Sequence, residues 1–337
     1  MAKPTIANVA ELAGVSQATV SRALRGATNV TEETRIKVQR AADQLNFTLS
    51  KSASALASGK TMRVILLVSG KLNEWFNSGV LQGVYEELAP VGYDVTPAFI
   101  TDRSELDRFF SQLPKSRNAD AIIISSFQLM PAMRDQLQAI DLPTVGVNVP
   151  AESGYFDASI SIDNSSAMTM AVRLLRSLGH TNIAFCSDYI PADMVYNTSQ
   201  RTQAFADAAQ ANATDGITFS LLTADAHDAP LSKADLASQL TAKLLSLPER
   251  PTAVCVETDQ VAIALVKELR KQQLNVPEDI SVLGFDDAEI AQAADLSTIR
   301  QEPIELGRIA GRKVLQLLRN DCLLYTSPSP RDSTSSR

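Results

Sequence analysis

The stretch from residue 5 to residue 24, TIANVAELAGVSQATVSRAL, constrains the fold more than any other part of the chain. Apolar residues at helical spacing predict a short first helix directly after Thr5, which can cap it. Gly14 predicts the end of that helix, because glycine adopts the left-handed conformation without a Cβ penalty. Ser16 then stands at the N-cap position of a second helix over residues 17–24. The pattern therefore predicts two helices joined by a tight turn.

The second predicted helix has a polar outer face. Its apolar residues are expected to pack on the first helix, and the residues left pointing outward are Gln17, Ala18, Ser21 and Arg22. Such a helix, held across another, is typical of a helix-turn-helix, whose second helix fits the DNA major groove. The alternative is a helical hairpin with a solvated face. The charge distribution favours the DNA-binding interpretation over this alternative. Residues 1–60 hold eight Lys/Arg and four Asp/Glu and are therefore basic, in a chain whose net charge is −7.

A third helix is predicted after Thr31, which can cap it. Ile36 and Val38 are among the residues expected to supply its apolar contacts. The three helices would form a unit of about 45 residues, which is marginal as an independent core.

The rest of the chain alternates short apolar runs with helical stretches. The runs expected to be strands are residues 63–68, 121–125, 143–147, 159–162, 183–186, 253–256 and 280–285, with another opening at 92–95. This alternation predicts parallel sheet with helices on both faces. The length favours two doubly wound lobes, with a ligand cleft at the carboxyl ends of the strands.

Several motifs resemble one family closely. In the first sixty residues they include Thr5-Ile6, Ala13-Gly14-Val15-Ser16, Thr19-Val20-Ser21-Arg22, Val30-Thr31, Leu45-Asn46-Phe47 and Leu56-Ala57. In the remainder they include Asp163-Asn164, Leu178-Gly179-His180, VPEDISVLGFDD at 276–287, and Thr298-Ile299-Arg300-Gln301 as a returning strand. The chain is similar to the LacI/GalR family of bacterial transcription regulators from Pro4 to about Asn320.

The resemblance implies an all-α headpiece followed by two α/β lobes of the periplasmic-binding-protein-like type. The expected parts are a headpiece over 1–47, a hinge helix or linker over 48–61, and a two-lobed effector-binding and dimerisation domain over 62–321. Within it, lobe 1 is expected at 62–161 and 291–321, and lobe 2 at 162–290. Residues 322–337, beginning CLLYTSPSPRD, resemble a translated sequencing adapter and are hypothesised to be non-native and disordered. The alternative is a natural Ser/Pro-rich tail.

The resemblance also implies which residues contact DNA. Those expected are Thr5, Ser16, Gln17, Ala18, Thr19, Ser21, Arg22, Thr31, Ala53 and Leu56. Arg22 suits guanine, Gln17 suits adenine, and the Ala18 methyl suits thymine. The hydroxyl residues suit phosphate oxygens, although Ser21 could equally be a solvated surface residue. In the family the hinge helix inserts a leucine into the minor groove, and Leu56 matches it, but Leu49-Ser50 replace the usual Pro-Asn before this helix.

The effector site is expected to bind a sugar. The candidate residues are Asn73, Trp75, Phe76, Asp163, Arg201, Thr258 and Asp286. Asp286 follows an apolar strand and can accept from hydroxyls, Arg201 can donate to hydroxyl oxygens, and Trp75 can lie on a pyranose ring. The family's usual glycine after the arginine is Gln203 here, and Thr258 replaces its amide residue.

Each of the three strongest candidates has a plainer alternative. Trp75 could pack between the lobes, and Arg201 could be a surface ion-pair partner. Asp286 could be a capping carboxylate, although Asp287 is the better candidate for that role.

Enzyme motifs are not found in the sequence: there is no G-x-S-x-G, no P-loop and no Cys/His metal spacing. His180 is expected to be a structural hydrogen-bonding residue, and Cys186 and Cys255 are expected to be reduced core residues. The absence of an apolar signal segment favours the cytoplasm. We expect no cofactor, no metal and no membrane partner.

The sequence therefore predicts a homodimeric repressor of a carbohydrate-use operon, bound to double-stranded operator DNA and released by a small sugar. A co-repressor would use the same architecture. A transport-type sugar-binding protein and a sugar-converting enzyme are the alternatives.

Overall fold

The computed structural model describes residues 4–24, 27, 29–47, 60–116, 118–127, 129–139, 142–149, 156–189, 196–226 and 231–319. The internal contacts divide the chain into two units, which meet in sequence between Met62 and Arg63. The expected hinge positions Ala53 and Leu56, and the tail over 322–337, lie outside the described residues.

The first unit contains the three expected helices, α1 (Ile6–Ala13), α2 (Gln17–Leu24) and α3 (Glu32–Gln44). Thr5 caps α1 and Thr31 caps α3, and Gly14 ends α1 in the left-handed conformation at φ 62°. The helices share one apolar core, whose buried residues are Val9, Ala10, Ala13, Val20, Ala23, Val38, Ala41 and Ala42. The expectation that Ile36 belongs to this core is wrong, because its side chain is 45% exposed.

The second unit consists of alternating strands and helices. Its strands are β1 (Arg63–Ser69), β2 (Asp94–Ile100), β3 (Ala121–Ser125), β4 (Thr144–Val147), β5 (Ala158–Ile160), β6 (Asn182–Ser187), β7 (Thr218–Thr223), β8 (Ala253–Val256), β9 (Ser281–Asp286) and β10 (Ser297–Arg300). Its α-helices are α4 (Trp75–Leu88), α5 (Arg103–Ser116), α6 (Pro131–Ala139), α7 (Asn164–Ser177), α8 (Asn197–Ala211), α9 (Lys233–Leu245), α10 (Asp259–Lys271), α11 (Glu289–Ala293) and α12 (Pro303–Leu318). Short 3₁₀ turns lie at Ala89–Val91 and Ala213–Asp215.

The strands form two parallel five-stranded sheets. The order is β2-β1-β3-β4-β5 in the first lobe and β10-β9-β8-β6-β7 in the second. In each sheet the order in which successive strands are added reverses once, between β1 and β3 and between β6 and β8. Ligands of such folds bind at the carboxyl ends of the strands near these reversals. The expected fold class is confirmed.

Side chains alternate between the two faces of the central strands, as the strand period of two requires. On β6, Ala184 and Cys186 face the core beneath α9 and α10, whereas Ile183 and Phe185 face the core beneath α7 and α8. Cys186 and Cys255 are buried free thiols. The continuous apolar runs in the sequence reflect strands that are covered on both faces.

Two expectations about the second lobe need correction. Strand β10 pairs with β9, where Arg300 lies opposite Asp286, so residues 291–300 belong to the second lobe and not to the first. The chain returns to the first lobe after Arg300, because α12 packs on α4. Sequence reasoning also missed β7, an edge strand whose residues are mostly exposed or half-buried and give a weak apolar signal.

Candidate functional site

The outer face of α2 carries the expected base-reading residues. Gln17, Ala18 and Arg22 are exposed, while Val20 and Ala23 on the opposite side are buried in the three-helix core. The Arg22 Nε atom donates to the carbonyl oxygen of Ala18 at 3.3 Å, which aligns the side chain along the helix. The helix therefore presents an amide, a methyl group and a guanidinium on one face, the groups that read base edges.

The expected phosphate-contacting hydroxyls also stabilise the helix ends. Ser16 accepts from the backbone N–H of Thr19 at 3.1 Å, and Thr31 accepts from that of Thr34 at 3.4 Å. Thr5 forms a reciprocal capping box with Asn8. Each cap satisfies a backbone donor at the start of its helix.

A cavity of about 190 Å³ lies between the two lobes of the second unit. Its lining residues are Glu74, Trp75, Phe76, Asn77, Ser126, Asn148, Tyr196, Asn197, Thr198, Arg201, Lys233, Thr258, Gln260, Asp286 and Gln301. Most of them follow the carboxyl end of a strand or begin the next helix, which places the cavity at the reversal point of each sheet. The volume suits a small ligand, since drug-sized ligands occupy pockets of roughly 300–1,000 Å³.

Contacts between the lobes close one side of this cavity. Phe127, after β3, forms an isolated antiparallel bridge with Tyr196, before α8. The backbone N–H of Asn197 donates to the carbonyl oxygen of Ser126 at 3.0 Å. These bonds hold the start of α8 against the first lobe, although α8 packs in the second.

Arg201 lies at the centre of the site and is only 2% exposed. Its Nη1 atom donates to the carbonyl oxygen of Glu257 and lies 3.9 Å from the Asp286 carboxylate. Its guanidinium carbon lies 3.7 Å from the centroid of the Phe285 ring. The alternative role as a surface ion-pair partner is therefore wrong, because this cation is held on an aromatic ring inside the protein.

Asp286 ends β9 and accepts a hydrogen bond from the side-chain amide of Gln301. Burial raises its pKa to about 7, against the lowering effect of Arg201. Burial also raises the pKa of Glu257 to about 7 and lowers the pKa of Arg201. These shifts share one cause, since the site withdraws charged groups from water.

Neither Asp286 nor Asp287 caps α11. The N-cap residue is Ala288, which has no side-chain cap, and its backbone N–H donates to the Asp259 carboxylate at 2.9 Å. The capping role considered for these two aspartates is therefore wrong.

Within the described residues, seven buried side-chain polar atoms have no hydrogen-bond partner, and five belong to cavity-lining residues. These five atoms are Asn148 Oδ1, Asn197 Nδ2, Arg201 Nε, Thr258 Oγ1 and Gln301 Oε1. Buried polar groups are nearly always paired in folded proteins, so such a concentration needs an explanation. This concentration marks the cavity as a candidate binding site for a polar ligand.

The sequence-predicted effector residues divide into two groups. Trp75, Phe76, Arg201, Thr258 and Asp286 line the cavity. Asn73 and Asp163 are exposed and do not line it. Asp163 instead caps α7, accepting from the backbone N–H of Ser166 at 2.9 Å. His180 bonds through Nδ1 to the Thr252 hydroxyl at 2.9 Å, the structural role expected of it.

Sequence reasoning missed Asn148, Tyr196, Asn197 and Gln301. Asn148 follows β4 and Gln301 follows β10, so the rule that selected Asp286, a polar residue directly after a strand, could have found both. Asn197 begins a helix that contacts the first lobe through its own backbone, and no local sequence signal marks that contact.

Comparison with known proteins agrees with this architecture. The family described as bacterial regulatory proteins, lacI family, matches residues 5–50, and the periplasmic binding protein-like domain matches residues 172–334. The HTH-type transcriptional repressor PurR of Vibrio cholerae serotype O1 (strain M66-2) is 30% identical over 321 residues, which cover 94% of this chain and 92% of that repressor. The chain belongs to the LacI family.

Solved structures of the family share the fold. The lac repressor dimer bound to operator and the anti-inducer ONPF has a TM-score of 0.80 at 24% identity, covering 96% of this chain and 94% of that one. The complex of the transcriptional regulator CelR with cellobiose has a TM-score of 0.64 at 25% identity, covering 95% of this chain and 94% of that one. The chain is thus a LacI-family DNA-binding repressor. Regulators of this family bind operator DNA and small-molecule effectors and act as dimers.

Among the described residues, every helix is too short or too polar to cross a bilayer.

Proposed function

We propose that this repressor controls a carbohydrate-use operon and is released from its operator by a small sugar bound in the cavity between the lobes. The observation that carries the proposal is that five of the residues lining that cavity each hold a buried polar atom without a hydrogen-bond partner. Each unpaired group costs about 1–3 kcal/mol, which a correctly placed ligand would recover.

The unpaired atoms include both donors and acceptors. Arg201 Nε and Asn197 Nδ2 donate, Asn148 Oδ1 and Gln301 Oε1 accept, and the Thr258 hydroxyl does either. A hydroxyl group both donates and accepts, so a ring carrying several hydroxyls matches such a mixed set. Arg201 lies 3.9 Å from the Asp286 carboxyl group, which can ionise to balance its charge, and this favours a neutral ligand over an ion.

The first lobe supplies the aromatic part of the site. Trp75 and Phe76, at the start of α4, are half-buried and line the cavity. An indole or phenyl ring suits the apolar face of a pyranose. The CelR complex with cellobiose supports this class of effector.

A purine is the competing effector, because a planar base could stack on the same aromatic residues and the repressor PurR of Vibrio cholerae is 30% identical to this chain. The experiment must therefore include both classes of compound.

Trp75 makes the test site-specific, since it is the single tryptophan of the chain. We expect one monosaccharide or disaccharide from a panel to change its fluorescence saturably and to weaken binding to the upstream operator in a gel shift. Hypoxanthine and guanine are the competing probes. Binding of a purine in place of every sugar would overturn the proposed effector class.

Two matched variants assign the effect to the cavity. Asp286→Asn should abolish the sugar response while leaving operator binding intact, because the carboxylate lies in the second unit. Asp163→Asn is the control: it changes an exposed aspartate outside the cavity, and the amide oxygen can still cap α7. An unchanged response in Asp286→Asn would remove that residue from the site.

We also propose that the protein forms a homodimer through an exposed apolar face in the first lobe. Leu72, Leu81, Tyr85, Val95 and Pro97 line a groove between α4 and β2, where Tyr85 is 59% exposed. Exposed apolar grooves of this kind mark interaction sites. Sedimentation of Tyr85→Asp against the parent tests the assignment, and an unchanged dimer mass would contradict it.

Release from DNA requires that the effector bind the two states of the repressor with different affinity. Gln301 is well placed to carry this difference, because it bonds Asp286 and directly precedes Glu302 and α12, where the chain returns to the first lobe. A compound that prefers the DNA-bound state would act through the same contacts as a co-repressor.

A further inference from the structure

The turn that presents Asp286 to the cavity has a strained backbone. Asp286 has φ 140° and Asp287 has φ 58°, both in the region that disfavours residues with a Cβ atom. Such conformations persist only where the surrounding structure holds them. The residues that hold this turn therefore control where the Asp286 carboxylate lies.

Two side chains outside the cavity lining hold the turn. The backbone N–H of Asp287 donates to the Thr298 hydroxyl oxygen at 3.3 Å, and that hydroxyl donates to Asp259 Oδ1 at 2.5 Å. Asp259 Oδ2 accepts from the backbone N–H of Ala288 at 2.9 Å. The two residues after Asp286 are thus fixed by one hydroxyl and one carboxylate.

Asp259 is committed to this role. It is completely buried, with both carboxylate oxygens occupied, and burial raises its pKa. It approaches β9 closely at Gly284, where a Cβ atom would lie 2.2 Å from Asp259 Oδ1. Glycine at that position therefore leaves room for the carboxylate beneath the turn.

The same strand that supports the turn also leads out of the lobe. Thr298 lies on β10, and the backbone N–H of Gln301, directly after that strand, donates to the Asp286 carbonyl oxygen at 3.1 Å. A displacement of the turn would move the point where the chain crosses to α12. The support is thus connected both to the effector site and to the path between the lobes.

We propose that Thr298 and Asp259 are positioning residues for effector recognition: they hold the strained Asp286–Asp287 turn so that the Asp286 carboxylate faces the ligand. This inference rests on the proposed function, in which Asp286 contacts the effector. Thr298 and Asp259 act through Asp286 and do not line the cavity.

The test compares Thr298→Val with Thr298→Ser in the full-length chain. Valine keeps the shape of threonine and removes the hydroxyl, whereas serine keeps the hydroxyl. With the sugar identified by Trp75 fluorescence as the probe, we expect Thr298→Val to raise the effector Kd roughly five- to tenfold and Thr298→Ser to restore it to within about twofold. Thr298 is half-buried on β10, the edge strand of its sheet, so both variants should fold.

Operator affinity without effector, and rescue by serine, separate a positioning role from a purely structural one. We expect operator affinity to stay near the parent value. The melting temperature of Thr298→Val should fall by a few degrees, because the buried Asp259 carboxylate loses a hydrogen-bond donor, and Thr298→Ser should restore it. An unchanged effector Kd in Thr298→Val overturns the inference, and so does an equal loss in Thr298→Ser. A parent protein that binds none of the sugars refutes the proposed function instead, which keeps the two failures distinct.

Discussion

The crossing of α4 and α12 in the first lobe depends on two glycines that face each other. A Cβ atom at Gly83 would lie 1.9 Å from the carbonyl oxygen of Ile304, and one at Gly307 would lie 2.3 Å from that of Val80. An ordinary Cβ contact begins near 3.4 Å, so the helices would have to separate by about 1.5 Å in Gly83→Ala and about 1.1 Å in Gly307→Ala. Both obstacles are backbone atoms, which cannot turn aside as a side chain does.

The expected loss follows from two opposing effects. Overpacking typically costs about 1–3 kcal/mol and occasionally more. Replacing a helical glycine by alanine returns roughly 1 kcal/mol. Because the clashes at Gly83 and Gly307 are severe and involve backbone atoms, we take overpacking costs of about 4 kcal/mol and about 3 kcal/mol, at and above the top of the usual range. Subtracting the gain of roughly 1 kcal/mol leaves expected losses of about 3 kcal/mol for Gly83→Ala and about 2 kcal/mol for Gly307→Ala. For a unit of this size these values correspond to falls in melting temperature of roughly 6–12 °C and 4–8 °C.

Gly311 on α12 provides the matched control. A Cβ atom there would lie 2.8 Å from Glu87 Cβ, so the deficit from an ordinary contact of 3.4 Å is only about 0.6 Å. Gly311→Ala should therefore melt within about 3 °C of the parent. Calorimetry of the three variants measures the series. A melting temperature of Gly83→Ala equal to that of the parent, or an order that does not follow the distances, would refute the packing argument.

Three further predictions concern the head and the effector site. Arg22→Ala should weaken specific operator binding by roughly 1–3 kcal/mol in a gel shift. Arg40→Ala removes an exposed cation from α3 and should weaken binding to specific and non-specific DNA alike, so equal selectivity in the two variants would contradict the base-reading role of Arg22. Burial raises the Asp286 pKa from 3.8 to about 7, so the folded state favours the neutral carboxyl group. The melting temperature of the parent relative to Asp286→Asn should therefore fall as the pH rises from about 4 to 7. A constant difference across that range would count against the raised pKa. Thr31→Ala should destabilise the headpiece by about 1 kcal/mol, because it removes the cap of α3. Thr31→Ser should stay near the parent in thermal unfolding followed by circular dichroism, and equal losses in both variants would argue against the cap.

The comparison of sequence and structure separates local from non-local information. Thr5, Gly14 and Ser16 specify where helices begin and end through bonds to residues three or four positions away, and the structure confirms those helix limits. The apolar run at 253–256 likewise coincides with β8, because a strand covered on both faces needs an uninterrupted apolar sequence.

Ile36 was misassigned by local reasoning: at about 100° per residue it lies roughly 160° around α3 from the buried Val38, so it faces away from the core and is exposed. The other misassigned residues depend on longer-range packing. Asn73 lies two residues from Trp75, but only Trp75 lines the cavity. The return of the chain to the first lobe was predicted at residue 291, but it occurs at Gln301, because the pairing of β10 with β9 keeps the chain in the second lobe as far as Arg300.

The amino-acid sequence by itself determined the three-helix head, the alternating strands and helices, and the polar residues at the ends of individual strands, since each of these depends on neighbours within a few positions. Tertiary structure alone decided which strand ends meet. It buried Arg201 on Phe285, placed Asn148 and Asn197 in one cavity, and brought Asp259 and Thr298 beneath the Asp286 turn. The physical reason is that a cavity between lobes is formed by residues far apart in sequence, whose proximity depends on sheet order and helix packing rather than on local conformation.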